Sequence, residues 1–369
     1  MKIPPIFRST HSVELFFWNI HTTPFFCYSC RRCSIGRGSY NRGMSLDQPT
    51  KQSLKLHEAS PPRTQEDEEG RRNNTAAYDE DWERQSNSDT GNKPFRLYDL
   101  RPQEAVSETP VLTVPGWGAP PEVWKEVMRE LVGGGRRAIA VDAVHGIDHD
   151  LEKPDHIKKI PDVELRRIAA FMEGLDAMGV EKTDAIGHSE GALDILLAAA
   201  MHPERFRNIV LVDPAGMIGE DNLLRFFARL IKDNRRAKKD ANRSGTMHIK
   251  ERADELTKRE AKKDKILAAK ELLSVIRADA QYLLKYVRAQ GVGVIIVQGY
   301  DDAVFPVEKM VGTQDKETRD ITPGTIRPGD VDGLYVVEGD HNKFVREAPL
   351  YTRVAEGALQ AREASQQQI

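Results

Sequence analysis

The chain has 369 residues and a net charge of −3, with 39% hydrophobic and 30% charged residues. This length favours one core domain with appendages, and the nearly balanced charge does not favour nucleic acid or another polyanion as a partner of the whole chain. The sequence offers no run of about 18 apolar residues, so we expect no membrane span.

The first 94 residues have the composition of a segment outside the core. Residues 1–46 are basic and rich in Ser and Thr, which resembles an organellar transit peptide, although Met44 is an equally good start of translation. Residues 47–94 are polar and carry acidic clusters, so they bury too little apolar surface to offset the entropy cost of ordering. We therefore predict that residues 1–94 are disordered or a wrongly assigned N-terminal extension.

The three cysteines, Cys27, Cys30 and Cys33, all lie in this first segment. Their spacing suggests a metal or cluster site, but a fourth thiolate is absent, so we predict no metal. Nor does the chain have a disulfide framework. We predict a cytoplasmic protein, with organellar import through residues 1–46 as the alternative.

From residue 95 onward, short apolar runs alternate with stretches of helical periodicity. The predicted strands are 95–101, Val111–Val114, Arg137–Asp142, Thr183–Ile186, Ile209–Asp213, Val292–Val297 and Leu334–Val337, the first of them at the sheet edge. The predicted helices include Asp162–Met178 and Glu347–Ala361. This alternation predicts an α/β fold in which a mostly parallel sheet lies between helices, with ligands at the carboxyl ends of the strands.

A long helical stretch from Glu220 to about Gln290 interrupts the alternation. Between Arg225 and Arg288 it has 19 Lys and Arg against 9 Asp and Glu. We predict a helical cap, or lid, at 217–290, inserted after the strand that ends at Asp213, between core segments 95–216 and 291–369. Its charge is most simply a solvated face, and we expect no nucleic-acid binding.

Gly187-His188-Ser189-Glu190-Gly191 lies between a predicted strand and a predicted helix. A serine at the apex, with glycine two residues before and after it, matches the G-x-S-x-G nucleophile elbow. The backbone N–H groups of Glu190, at the helix start, and of Trp117, after Gly116, are candidates for an oxyanion hole. An ordinary surface serine in such a turn stays the alternative until partners are found.

A serine nucleophile needs a base, and His341 is the best candidate. It follows a strand and a glycine, in the loop before the last helix. His202 precedes a proline at a helix end, and His248 lies in the basic stretch, so both are less favoured.

The acid that orients the base should lie at a strand end. Asp302 is favoured, because it closely follows the strand that ends before Gly299. Asp301 and Asp213 remain competitors.

The segments PGWGA, GHSEG, GYDDAVFP and EGDHNKF…EAP, in this order, resemble the α/β-hydrolase fold family, in its serine esterase- or lipase-like branch. The resemblance runs from about Val111 to the C-terminus. It implies a nucleophile, acid and base at Ser189, Asp302 and His341, in the family's own order. It also implies oxyanion-hole positions at Trp117 and Glu190, a lid after Asp213, and no cofactor.

Two details refine this resemblance. The family often has His-Gly where this chain has Pro115-Gly116, which removes a side-chain hydrogen bond but keeps the N–H donors. Serine at position 189 disfavours the haloalkane dehalogenase and epoxide hydrolase branches, which use Asp there.

We therefore predict a carboxylesterase-like serine hydrolase that cleaves an ester or related acyl bond of a small molecule through an acyl-enzyme. The alternatives are an acyltransferase or a non-hydrolytic ligand-binding protein on the same fold. The sequence does not identify the acyl group, the leaving group or the oligomeric state.

Overall fold

The structure, a computed structural model, describes residues 12–15, 52–55, 64–87, 95–142, 153–157, 161–314, 321–327 and 329–366. The strands are β1 (Ser12–Leu15), β2 (Gln52–Lys55), β3 (Arg96–Leu100), β4 (Ser107–Val114), β5 (Arg136–Asp142), β6 (Thr183–His188), β7 (Phe206–Val212), β8 (Gly293–Gly299), β9 (Gly312–Gln314), β10 (Ile321–Pro323) and β11 (Gly333–Val337). The α-helices are α1 (Gln65–Asn74), α2 (Tyr78–Ser86), α3 (Lys125–Gly133), α4 (Val163–Ala177), α5 (Glu190–Met201), α6 (Leu223–Ser244), α7 (Met247–Lys263), α8 (Lys265–Arg277), α9 (Gln281–Ala289), α10 (Val307–Val311), α11 (Lys343–Arg346) and α12 (Ala348–Gln366). Short 3₁₀ segments cover Pro121–Trp124, Asp155–Ile157 and Pro203–Arg205.

A mostly parallel sheet forms the centre of the part of the chain that the structure describes. Its strand order is β2-β1-β11-β8-β7-β6-β4-β5-β3. The strands from β11 to β5 in this order pair in parallel. β3 is antiparallel to β5 at one edge, and β1 is antiparallel to both β11 and β2 at the other. The predicted parallel sheet and the predicted edge strand at 95–101 are confirmed.

Helices cover both faces of this sheet, because its central strands carry apolar side chains on both sides. One face packs mainly against α4, α5 and α9, and the other against α2, α3 and α12. The carboxyl ends of β4, β6, β8 and β11 meet at the same edge, as parallel pairing requires. The loops that leave this edge carry the site residues predicted from the sequence.

Helices α1 and α2 correct the prediction for the N-terminal segment: it is wrong for residues 64–87. Tyr78 and Trp82 are each only 3% exposed. Trp82 stacks on Tyr98 of β3, with ring centroids 4.7 Å apart. The composition argument failed because two aromatic side chains, one helical turn apart, are enough to fix a short polar helix to the sheet. The cysteines of the first segment and Met44 lie outside the described residues.

Helix α2 also covers the outer side of β3. The side-chain amide of Gln85 donates to the backbone oxygen of Asp99 at 2.9 Å and accepts the backbone N–H of Asp99 at 2.7 Å. This amide occupies the position of a neighbouring strand, because it satisfies both backbone groups that point away from β5.

Four helices, α6 to α9, lie between β7 and β8, where the helical insertion is predicted. α6 starts after Asn222, whose side chain accepts the N–H of Leu224 at 2.9 Å, and ends at Gly245 in the left-handed conformation. α9 packs on α5 and β8 through buried leucine and valine side chains. The predicted cap range, 217–290, therefore includes a helix that packs on the sheet. Among the described residues, no helix is long and apolar enough to cross a bilayer.

Candidate active site

Ser189 is the single residue of the turn between β6 and α5. Its backbone has φ 56° and ψ −118°, a strained conformation for a residue with a Cβ. Backbone hydrogen bonds hold it there: its N–H donates to Val212 at 3.0 Å, and its carbonyl accepts from Ala215 at 3.1 Å. The turn therefore keeps the Ser189 side chain at the carboxyl end of the sheet.

The glycines around Ser189 are explained by close backbone approach. A Cβ on Gly187 would lie 2.5 Å from the carbonyl oxygen of Gly191, and a Cβ on Gly191 would collide with the carbonyl oxygen of Val114. A Cβ on Gly116 would lie 3.0 Å from the Cβ of Ser189. The loop after β4 thus passes directly beside the serine.

His341, in the loop between β11 and α11, joins Ser189 to Asp302. Its Nε2 lies 3.0 Å from Ser189 Oγ, and its Nδ1 lies 2.9 Å from Asp302 Oδ2. Since a carboxylate accepts, Nδ1 carries a proton, and in the neutral imidazole Nε2 accepts from the hydroxyl. The structure thus brings together three residues that are distant in sequence. Asp302 precedes His341 by 39 positions, and Ser189 precedes it by 152.

Asp302 is buried and held by donors on both oxygens. Its Oδ1 accepts the N–H groups of Val304 at 2.6 Å and Phe305 at 2.9 Å. Its Oδ2 accepts from Gln298 Nε2 at 3.0 Å as well as from His341. Burial opposes the charged form, but the charge of His341 and these hydrogen bonds hold the pKa of Asp302 below its ordinary value.

His341 has the opposite shift. Burial disfavours the imidazolium, but the charge and hydrogen bond of the adjacent Asp302 oppose burial, and Asp213 and Asp233 add to this effect. Together they raise the pKa of His341 to about 9. The imidazole is therefore a stronger base than a solvated histidine.

The competing acids occupy other positions. Asp213 Oδ1 accepts the backbone N–H of Gly299 at 2.6 Å. Burial, and to a smaller extent the nearby charge of Asp302, raises the pKa of Asp213 well above its ordinary value. Asp301 is exposed, and its carboxylate lies 3.9 Å from Arg236. Only Asp302 of the three contacts an imidazole nitrogen of His341.

The competing histidines also lie elsewhere. His202 follows α5 at its far end from Ser189, with Nδ1 3.9 Å from Glu204. His248 is exposed on α7. Neither is hydrogen-bonded to Ser189 in the described structure.

His188, directly before Ser189, also contributes to the site, although the sequence pattern predicted no role for it. Its Nε2 lies 2.7 Å from the carbonyl oxygen of His341, so it donates a proton there. Burial, together with the positive charge of His341, lowers the pKa of His188 to about 3. A neutral His188 therefore fixes the backbone of His341.

Asp233, on α6, is a second residue that the sequence analysis missed. Its Oδ1 accepts the N–H of Ala303 at 3.1 Å and lies 3.4 Å from the N–H of His341. Burial, followed by the charge of Asp302, raises the pKa of Asp233 to about 6. The sequence signal was an acid on the helix face that also carries Phe226 and Ala237.

Of the two predicted oxyanion-hole residues, Glu190 directly follows Ser189, and Trp117 follows Gly116, which lies beside Ser189. Glu190 starts α5, where backbone N–H groups have no partner within the helix. The backbone N–H groups of Trp117 and Glu190 donate no hydrogen bond to any described residue. The indole of Trp117 donates to the backbone oxygen of Ala268 on α8 at 2.9 Å, which ties this loop to the inserted helices.

The side chain of Glu190 belongs to a buried charge cluster behind the turn. Arg167 of α4 bonds to the Glu190 carboxylate and lies 3.1 Å from Asp194. Burial, only partly offset by Arg167, raises the pKa of Glu190, and Glu271 of α8 adds to the shift. A cavity of about 110 Å³ next to the cluster is lined by α4, α7, α8 and the loop after β4, but not by Ser189, Asp302 or His341.

Ligand atoms of His188, Asp213 and His341 lie within 4.8 Å of one another, a spacing compatible with a metal ion. Both nitrogens of His341 are already hydrogen-bonded to Ser189 and Asp302. The geometry thus fits a hydrogen-bonded site better than a metal centre.

The profile of the alpha/beta hydrolase family matches residues 111–352, and the chain belongs to this family. One similar protein comes from Mycobacterium phage D29, and its name assigns it provisionally to the non-heme haloperoxidases. It is 25% identical over 218 residues. The match covers 55% of this chain and 75% of that protein.

Several solved hydrolase structures are similar to this chain. A hydrolase from Oleispira antarctica is 18% identical and covers 72% of this chain and 94% of its own, with a TM-score of 0.49. A thermophilic esterase from Thermogutta terrifontis is 19% identical over 72% and 93% of the chains, with a TM-score of 0.46. An enol-lactonase from Burkholderia xenovorans is 16% identical over 72% and 95%, with a TM-score of 0.47.

Proposed function

We propose that this protein is a serine hydrolase that cleaves an ester or related acyl bond of a small molecule through an acyl-enzyme. The observation that carries the proposal is the continuous hydrogen-bond chain from Ser189 Oγ through His341 to Asp302. Such a chain converts a weakly nucleophilic hydroxyl into a group that can attack a carbonyl carbon.

In the proposed mechanism, Ser189 Oγ attacks the acyl carbon while its proton passes to His341 Nε2. Asp302 keeps Nδ1 protonated and stabilises the imidazolium that forms. The backbone N–H groups of Trp117 and Glu190 stabilise the oxyanion; losing one such donor typically costs about 3–4 kcal/mol of transition-state stabilisation.

His341 then returns its proton to the leaving group, which departs and leaves the acyl group on Ser189. A water molecule, deprotonated by His341, attacks this ester, and the acid is released with Ser189 Oγ reprotonated. No cofactor takes part in the steps proposed here. In this proposal the helices α6 to α8 form the cap over the site.

The test is labelling with a fluorophosphonate probe, combined with hydrolysis of p-nitrophenyl esters of graded chain length. We expect the full-length protein to be labelled and the Ser189→Ala variant to be unlabelled and inactive. Asp302→Asn should lose about 10⁴-fold in kcat, because it leaves His341 in the wrong tautomer.

Asp301→Asn is the matched control, since it makes the same change one residue away on a carboxylate that does not touch His341. Its activity should stay within a few-fold of the wild type. A wild-type protein that neither reacts with the probe nor hydrolyses any ester would favour a ligand-binding protein on the same fold. A label that persists in Ser189→Ala would place the nucleophile elsewhere.

A further inference from the structure

Helix α6 has a solvent-facing side that the proposed hydrolase chemistry does not use. Leu224 is 78% exposed and Ile231 is 53% exposed, and Leu223 and Phe227 are 44% and 39% exposed. Their spacing of three or four residues places them along one stripe of the helix. Large apolar side chains grouped in this way mark an interaction surface more often than isolated ones do.

Exposed cations lie beside this stripe on the same helix. Six of them have no carboxylate partner within the described structure: Arg225, Lys232, Arg235, Lys238, Lys239 and Arg243. The two acids of α6 do not neutralise these cations, since Asp233 is buried and Asp240 pairs with Arg346 at 3.0 Å. The outer side of α6 is thus both apolar and strongly positive, although the whole chain carries −3.

The inner side of α6 is fixed, so the apolar stripe cannot rotate inward. Phe226 packs near Phe305, with ring centroids 6.3 Å apart. Arg229 donates to the backbone oxygen of Val304 at 3.0 Å, and Asp233 accepts from Ala303 at 3.1 Å. These contacts leave Leu224 and Ile231 outside while their helix stays in place.

We propose that the outer side of α6, defined by Leu223, Leu224, Phe227, Ile231 and the six cations, binds the surface of an anionic lipid bilayer. A helix with an apolar stripe next to lysine and arginine lies in the interface, with the stripe among the acyl chains and the cations at the headgroups. A nucleic-acid backbone would match the cations but would leave the exposed leucine and isoleucine without a partner.

The test is co-sedimentation of the full-length protein with sucrose-loaded vesicles of phosphatidylcholine alone and of phosphatidylcholine with phosphatidylserine. We expect binding to the anionic vesicles that weakens as salt is added, and little binding to the neutral ones. The double variant Leu224→Ser/Ile231→Ser should bind at least tenfold more weakly. The triple variant Arg235→Gln/Lys238→Gln/Lys239→Gln should bind roughly a hundredfold more weakly.

Ile266→Ser is the matched control, because Ile266 is 72% exposed but lies on α8. It should bind like the wild type. Binding is measured in the Ser189→Ala variant as well, where it should persist, so that failure of the hydrolase proposal and failure of this one are separate results.

Three results would overturn the proposal. One is equal binding to neutral and anionic vesicles, and another is binding that survives both α6 variants. The third is binding to a duplex DNA oligonucleotide without binding to anionic vesicles, which would assign the cations to nucleic acid.

Discussion

His341 is surrounded by carboxylates, and this environment sets the proton affinity of the proposed general base. Asp302 bonds to its Nδ1, while Asp213 and Asp233 act from further away. Because the pKa of His341 is raised above the ordinary value of 6.5, the imidazole holds its proton to higher pH than a solvated histidine. Only the unprotonated Nε2 can accept the proton of Ser189.

We therefore expect kcat/KM for a neutral ester to rise with pH through a pKa above 6.5. Asp233→Asn removes one of the charges that raise this pKa but keeps an oxygen for the N–H groups of Ala303 and His341. Its rising limb should move to lower pH, as measured by the pH–rate profile.

Asp240→Asn is the control for this prediction. Asp240 is on the same helix, but its carboxylate pairs with Arg346 and does not act on His341. Its profile should match the wild type. A rising limb that does not move in Asp233→Asn would contradict the electrostatic role assigned to Asp233.

At this scale the sequence could identify only residues that lie at strand ends. Ser189, Asp302 and His341 follow β6, β8 and β11, so parallel pairing alone predicts that they converge. The sequence places Asp233 on the apolar face of α6, but its contacts with Ala303 and His341 could not be predicted, because they depend on how the inserted helix packs on two loops that are distant in sequence. Helix–loop packing has no periodic signal in the sequence.

At the scale of elements, α2 shows how little apolar surface is needed to order a polar segment. Trp82 and Tyr78 are the two buried residues of the helix, and both lie in one aromatic cluster with Tyr98. Arg129 of α3 lies over the Tyr78 ring, 4.8 Å from its centre. The buried apolar contact of α2 therefore rests on two side chains, and an average over the composition of the segment hides them.

Trp82→Ala should lower the free energy of unfolding by about 3–5 kcal/mol, since it removes a buried aromatic ring and its stacking partner loses contact. Urea unfolding followed by circular dichroism measures this. Glu83→Ala, the exposed neighbour on the same helix, should change stability by less than about 0.5 kcal/mol. Equal stability of the two variants would show that α2 is not held to the sheet as described.

At the scale of the whole molecule, one ion cluster joins the last helix to strands far away in sequence. The Arg136 side chain, 1% exposed in β5, donates to both oxygens of Glu363 in α12 at 3.1 and 2.9 Å. Asp184 of β6 lies 3.7 Å from Arg136, and Arg207 of β7 bonds to both acids. Burial opposes the charged form of Glu363. The hydrogen bonds and charges of Arg136 and Arg207 nevertheless lower the pKa of Glu363 below its ordinary value.

Glu363→Gln should lower the free energy of unfolding at neutral pH by about 1.5–3 kcal/mol, the range for hydrogen bonds to charged groups, while Asp184 still compensates Arg136. The Glu363 carboxylate has a lowered pKa in the folded state, so its contribution is complete above about 4.5, the ordinary value, and is lost as pH falls through the folded-state pKa. The stability difference between the two proteins should therefore shrink in acid, as measured by urea unfolding at several pH values. A difference that does not depend on pH would contradict the ionic role of Glu363.

The fold as a whole was the most predictable level, because alternating buried strands and amphipathic helices leave few arrangements other than a covered parallel sheet. The ion cluster was not predictable, since Arg136, Asp184 and Glu363 each look like ordinary charged residues until the chain brings them together.

The amide of Gln85, which occupies the place of a strand beside β3, has a consequence for self-association. An uncovered strand edge is a template on which a second polypeptide can add, and this is a common start of aggregation. By satisfying the outward backbone groups of Asp99, α2 closes that template with a side chain that cannot be extended into a further strand. A protein shortened to begin at Phe95 would keep the proposed active-site residues but present this edge to its neighbours, so loss of solubility would precede any loss of chemistry.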